Sequence, residues 1–111
     1  MRRCARSARL FGVAIAAVLA NGPVHAADIT DAEALAISQK HCVPCHACNP
    51  THEAFDKPPR NVLLETVEEL RMQAAKVLEQ VVENRNMPLG NQTEMTEEER
   101  DALARWIAAL K

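Results

Sequence analysis

A chain of 111 residues holds one small domain at most, and thirteen basic against fifteen acidic residues leave no strongly charged balance to read. Three aromatic residues, with no tyrosine, cannot make the basic, aromatic-rich surface that tracks a nucleic acid. A core built from such a composition lacks large flat bodies.

The first segment does not read as part of the fold. Arg2, Arg3, Arg6 and Arg9 form a positive stretch ahead of an unbroken apolar run from Leu10 to Ala20. As a helix that run would span about 16 Å, roughly half of a ~30 Å hydrocarbon core. Asn21, Gly22 and Pro23 break it, and Val24-His25-Ala26 then offers small residues at the positions a signal peptidase reads. We expect residues 1–26 to be a signal peptide, with cleavage after Ala26 or, as the near alternative, after Ala27. An uncleaved amphipathic anchor is the competing reading. The expected location is the periplasm. Residues 27–111 keep nine basic and fifteen acidic residues, a formal charge of −6, and contain no apolar run long enough for a membrane span. Docking partners with positive patches follow from that sign.

In chain order, three helices announce themselves by capping boxes, a threonine followed three residues on by a glutamate. Thr30 with Glu33 opens a helix expected over Asp31 to His41, Thr66 with Glu69 one over Val67 to Asn84, and Thr96 with Glu99 one over Glu97 to Leu110. On the second, Leu70, Ala74, Val77, Leu78 and Val81 form an apolar stripe; on the third, Leu103, Trp106, Ile107 and Leu110 do so, with Glu97, Glu98 and Arg100 toward water. Ala47 to Glu65 reads as a proline-bearing loop containing Pro50, Pro58 and Pro59. No strand and no internal repeat is read, so the fold class is all-α.

Between the first helix and the loop lies Cys42-Val43-Pro44-Cys45-His46. Two thiols three positions apart can add to the two vinyl groups of one haem, and a histidine directly after the second is thereby placed under the iron. A redox dithiol, a zinc site and a disulfide compete for the same spacing. The dithiol lacks its βαβ context and the zinc site a second ligand pair. One haem c per chain is therefore the expected cofactor, held by Cys42 and Cys45, with His46 as proximal ligand. It would also supply the flat body that the core lacks, and a chain of about 85 residues commonly needs such a staple. Cys48 repeats the spacing with Cys45, but Asn49 follows where a ligand is needed. It is read as a small, partly buried residue beside the haem or as a free thiol able to pair between molecules, while Cys4 leaves with the signal peptide.

A methionine thioether opposite His46 would favour ferrous iron, as suits an electron carrier. Met87 is the chosen candidate, because Pro88 in the irregular Asn84 to Asn91 stretch pushes it toward an extended backbone. Met72 reads as core filling and Met95 as exposed or locally packed. His41 reads as a surface residue, and His52 is the alternative ligand.

This order of helix, haem motif, proline loop, helix, Met-Pro loop and helix resembles class I cytochrome c over about Ala27 to Lys111. The resemblance implies a small fold of three main helices around one covalently attached haem, with the first and last helices in close contact. It puts Ala34 where a glycine is usual, Ile37 and Ser38 where an aliphatic and an aromatic residue are common, and Trp106 at the aromatic place on the last helix. It also implies that a proline carbonyl, of Pro58 or Pro59, accepts from the second ring nitrogen of His46. The runs Cys42 to His46, Asn49-Pro50-Thr51-His52, Lys57-Pro58-Pro59 and Met87-Pro88-Leu89-Gly90-Asn91 are similar to the cytochrome c domain that ends bacterial membrane-bound urate oxidases. That similarity implies a non-enzymatic periplasmic carrier receiving electrons from a membrane-bound oxidase of urate. A haem-bearing subunit of a respiratory complex and an open-site haem sensor or enzyme are the alternatives.

Overall fold

The computed structural model describes Cys4 and residues 28–111; the rest of the expected signal peptide lies outside the described residues. All regular structure among them is helical, without strands. α1 runs Asp31–His41, α2 Val67–Met72, α3 Ala74–Val77 and α4 Glu97–Ala108, with a π-helical segment Leu78–Glu83 continuing α3 and 3-10 turns at Pro59–Asn61 and Leu89–Asn91. No described helix is long and apolar enough to cross a membrane.

The three capping boxes form as the sequence predicts. In each, the threonine hydroxyl accepts from the glutamate N–H and the glutamate carboxylate accepts from the threonine N–H, which satisfies two of the donors a helix start leaves open. The expected middle helix is one helical stretch with two faults. Gln73 leaves helical geometry at φ −99° and ψ 8°, and beyond Val77 the bonding widens, with Asn84 N–H donating to Glu79 O, five residues back. The last helix stops at Ala108, short of Leu110, where Ala109 N–H closes the final turn on Arg105 O.

α1 packs on α2 and α4, and α4 packs on the π-helical segment. Leu70 and Leu103 are fully buried at the centre, with Ala34, Val77, Val81 and Trp106 around them. Burying a leucine side chain of this kind contributes about 1.5–3 kcal/mol. Asp31, in the first turn of α1, joins three helices: its carboxylate accepts from Trp106 Nε1 at 3.0 Å and from Arg71 at 2.7 Å.

Four expectations about burial are corrected. Met72 is 79% exposed, because it lies two residues, about 200°, around the helix from buried Leu70. Met95 is buried in the core instead, its N–H and carbonyl held by the side chain of Asn91. Arg100 is buried, not on the wet side, since three residues before Leu103 it shares the apolar face of α4. His41 is not a surface residue: seven positions after Ala34 and three after Ser38, it faces inward with them.

His41 is paired at both ring nitrogens, with Thr93 Oγ1 at 2.7 Å and Glu99 Oε2 at 2.7 Å, so it ties the end of α1 to the start of α4. Burial alone would raise the Glu99 carboxyl. The Thr96 N–H, His41 and Lys40 outweigh it and hold the group below its ordinary value of 4.5. A depressed carboxyl stabilises the fold above its unfolded-state value, and that contribution is lost as pH falls through the lowered one. We expect His41→Ala to lower the unfolding free energy by about 2 kcal/mol, since it strands two partners. Lys40→Ala, which loses only the exposed Lys40–Glu99 contact at 3.6 Å, should change it by less than about 1 kcal/mol. Urea denaturation at neutral pH measures both, and equal losses would refute this role for His41. Glu99→Gln should flatten the fall of wild-type stability below pH 4.5.

Candidate functional site

The Cys42-to-His46 segment is a tight turn off the end of α1. Cys42 N–H and Val43 N–H both donate to Ser38 O, and Cys45 N–H and His46 N–H both donate to Cys42 O, at 3.1 and 2.8 Å. One turn thus gathers Cys42, Cys45 and His46. The two thiols are not bonded to each other.

The loop that follows comes back against this turn. Pro44 O accepts from Thr51 and His52, His46 O accepts from Leu64 N–H at 2.9 Å, and Ser38 Oγ donates to Leu64 O at 2.7 Å. Between these ties, His46 Nδ1 donates to Val62 O at 3.0 Å. The expected Pro58 or Pro59 acceptor is therefore corrected to Val62. The two proline carbonyls are engaged in the 3-10 turn, Pro58 O by Asn61 N–H and Pro59 O by Val62 N–H. Because a carbonyl only accepts, the Nδ1 proton is fixed there and Nε2 carries the lone pair.

Burial pushes the Cys42 thiol up to about 11; its contact with the Ser38 hydroxyl offsets part of the rise and Cys45 adds to it. Burial raises the Cys45 thiol as well. Reactive dithiols have lowered pKa values, so these two are poor candidates for thiol–disulfide exchange. Among the described residues no group of three or more His, Cys, Asp or Glu side chains gathers as a metal site.

Met87 borders the same apolar cluster that contains Cys42. Its N–H donates to Gln80 O at 3.0 Å, its carbonyl accepts from Arg100 at 3.0 Å, and its peptide bond to Pro88 is cis. Both ring nitrogens of His52, the alternative ligand, are engaged in this conformation. Its Nδ1 accepts from Ala54 N–H at 3.1 Å, so Nε2 holds the proton and donates to Gln92 Oε1 at 3.0 Å. In the full chain Cys48 is bonded to Cys4. The bond belongs to the uncut chain, since cleavage after Ala26 would remove Cys4 and release Cys48.

Two residues of this site escaped the sequence reading. Val62 carries no signal, since only its carbonyl acts. Arg100 carried one, its place on the apolar stripe. No protein-family model, curated protein or solved structure matches the chain.

A thiol near 11 is ionised in about one molecule per thousand at pH 8. We expect iodoacetamide at that pH to label Cys45 well before Cys42 in chain whose two thiols are unmodified. Peptide mass spectrometry reads the order, and equal rates would contradict the burial difference.

Proposed function

We propose that the chain is a periplasmic electron carrier of the class I cytochrome c type, holding one haem through thioethers to Cys42 and Cys45, with His46 and Met87 as axial ligands. The observation that carries this reading is the Cys42-to-His46 turn with the His46 Nδ1 proton committed to Val62 O, which leaves Nε2 as the donor atom. The donor set fits the group: two thiols that are not joined, an imidazole of fixed tautomer, and a thioether at the edge of the core. Bound haem would supply reversible one-electron chemistry at its iron.

The chain's own residues orient and exclude. Val62 O holds the His46 ring and raises its basicity, as a backbone acceptor commonly does for a ligating histidine. Burial of Cys42 keeps its sulfur out of water. Met87, a soft neutral donor, would favour the ferrous state. No residue set for binding and activating an organic substrate is part of the proposal, so the chain is read as a carrier and not an enzyme.

Export by residues 1–26 belongs to the same reading, since the attachment chemistry of such a motif takes place outside the cytoplasm. The net negative charge of residues 27–111 favours a partner with a positive docking patch. For the electron donor we infer a membrane-bound urate oxidase, on the four short runs from Cys42 to Asn91 alone. Membranes oxidising urate should reduce the ferric protein, and a failure to do so would remove that donor while leaving the carrier reading in place.

The decisive test is spectroscopic. Denatured protein should retain one haem per chain through acid-acetone extraction, and Cys42→Ala or Cys45→Ala should sharply lower haem yield. The ferric protein should show the weak sulfur-to-iron charge-transfer band and the ferrous protein should resist carbon monoxide. Met87→Ala should abolish both properties, with Met72→Ala and Met95→Ala keeping the band. Extractable haem would reject covalent attachment. Ready carbon monoxide uptake by the wild type would favour an open-site sensor or enzyme.

A further inference from the structure

The buried guanidinium of Arg100 has work that neither capping nor charge pairing at the surface explains. It is 6% exposed, and its acceptors are all neutral oxygens: Val81 O, Met87 O at 3.0 Å and Asn91 Oδ1 at 3.5 Å. A buried charge is costly unless hydrogen bonds satisfy it, so this arrangement must fix something beyond itself.

What it fixes is the stretch around Met87. Val81 O lies near the end of the π-helical segment, where carbonyls run out of partners within the helix and a positive charge is favoured. Nη1 bridges that carbonyl to Met87 O across the Asn84–Asn86 turn. Met87 N–H is already held by Gln80 O. Both backbone polar groups of Met87 are therefore anchored, and only its side-chain torsions remain free. On the far side, Nη2 reaches Asn91, whose side chain also holds Met95 N–H and Met95 O.

We propose that Arg100 is the positioning residue of the distal ligand, setting the direction in which Met87 presents its sulfur. The proposal rests on the reading of Met87 as an axial ligand. A guanidinium is required for it, because a single ammonium lacks the planar fork that spans the three acceptors.

The test uses the haem-loaded protein with Arg100→Gln and Arg100→Lys, beside Met87→Ala and Leu103→Val. It reads covalent haem content, the ferric sulfur-to-iron band, the alkaline pH at which that band disappears, and carbon monoxide uptake by the ferrous form. Both Arg100 variants should keep full haem content, since Cys42 and Cys45 are untouched. In both, the pH midpoint of the band should fall by about one unit or more, the tenfold change that loss of one hydrogen bond to a charged group brings. Carbon monoxide uptake should quicken by at least about tenfold for the same reason. Leu103→Val, which trims the same core cluster but leaves every Arg100 hydrogen bond in place, should leave the midpoint in place. Should Arg100→Gln fail to fold, Arg100→Lys keeps the charge and carries the decision. A wild-type midpoint in Arg100→Lys, or an equal shift in Leu103→Val, overturns the positioning role while loss of the band in Met87→Ala keeps Met87 as the ligand. A wild-type protein without the band overturns both.

Discussion

The proline-bearing loop is tied to the Cys42–His46 turn by hydrogen bonds running in both directions, and these ties shape the site. Pro58 O and Pro59 O accept within the loop's own 3-10 turn, and the carbonyl that takes the histidine ring is that of Val62. Two residues on, Leu64 is held at both backbone groups, by His46 O and by Ser38 Oγ. Ser38 is fully buried, at a place where the family resemblance leads one to expect an aromatic ring. An aromatic residue other than tyrosine has no hydroxyl to give. The serine exchanges packing area for a hydrogen bond that locks the loop to α1, and so locks the acceptor of His46.

The same logic holds the other side of the molecule. The connection from Asn84 to Thr96 has little apolar mass of its own, and two buried polar side chains grip it from opposite helices. His41, at the end of α1, takes Thr93; Arg100, in α4, takes Met87 and Asn91. A buried polar group contributes modestly when paired and costs more when stranded. Such ties therefore do less for total stability than for choosing one loop conformation over its neighbours. Surface pairs such as Arg85 with Glu97 add little to that choice.

Much of this was legible in the sequence because it depends on local chemistry. The three capping boxes set helix starts at Asp31, Val67 and Glu97, and all three starts are observed. The Cys42-to-His46 segment stood out by its spacing, and it folds as one turn off the end of α1. The break at Gln73 was not, since no glycine or proline marks it, and the widening beyond Val77 has no signal in residue type. Burial of His41 and Arg100 was misread for another reason. Residue type points both to the wet face, whereas positions 34, 38 and 41, like 100, 103 and 107, share one helical face. Position was the better guide than polarity there. Val62 could not be found at all, because a backbone carbonyl has no letter of its own.

Three cysteines at intervals of three residues pose a chemical ambiguity that spacing alone leaves open, since Cys42 with Cys45 and Cys45 with Cys48 are equally spaced. The residue that follows each pair separates them. His46 follows the first pair, whereas Asn49 follows the second. In the full chain Cys48 is bonded to Cys4, and its N–H donates to Glu65 Oε2 at 3.3 Å. Cys42 is the most buried thiol of the three and anchors the α1 side of that turn through its bonds to Ser38 and His46. Cys42 belongs to the same apolar cluster as Leu64, Leu70 and Met95, and among the described residues Trp106 is the buried aromatic side chain of that core.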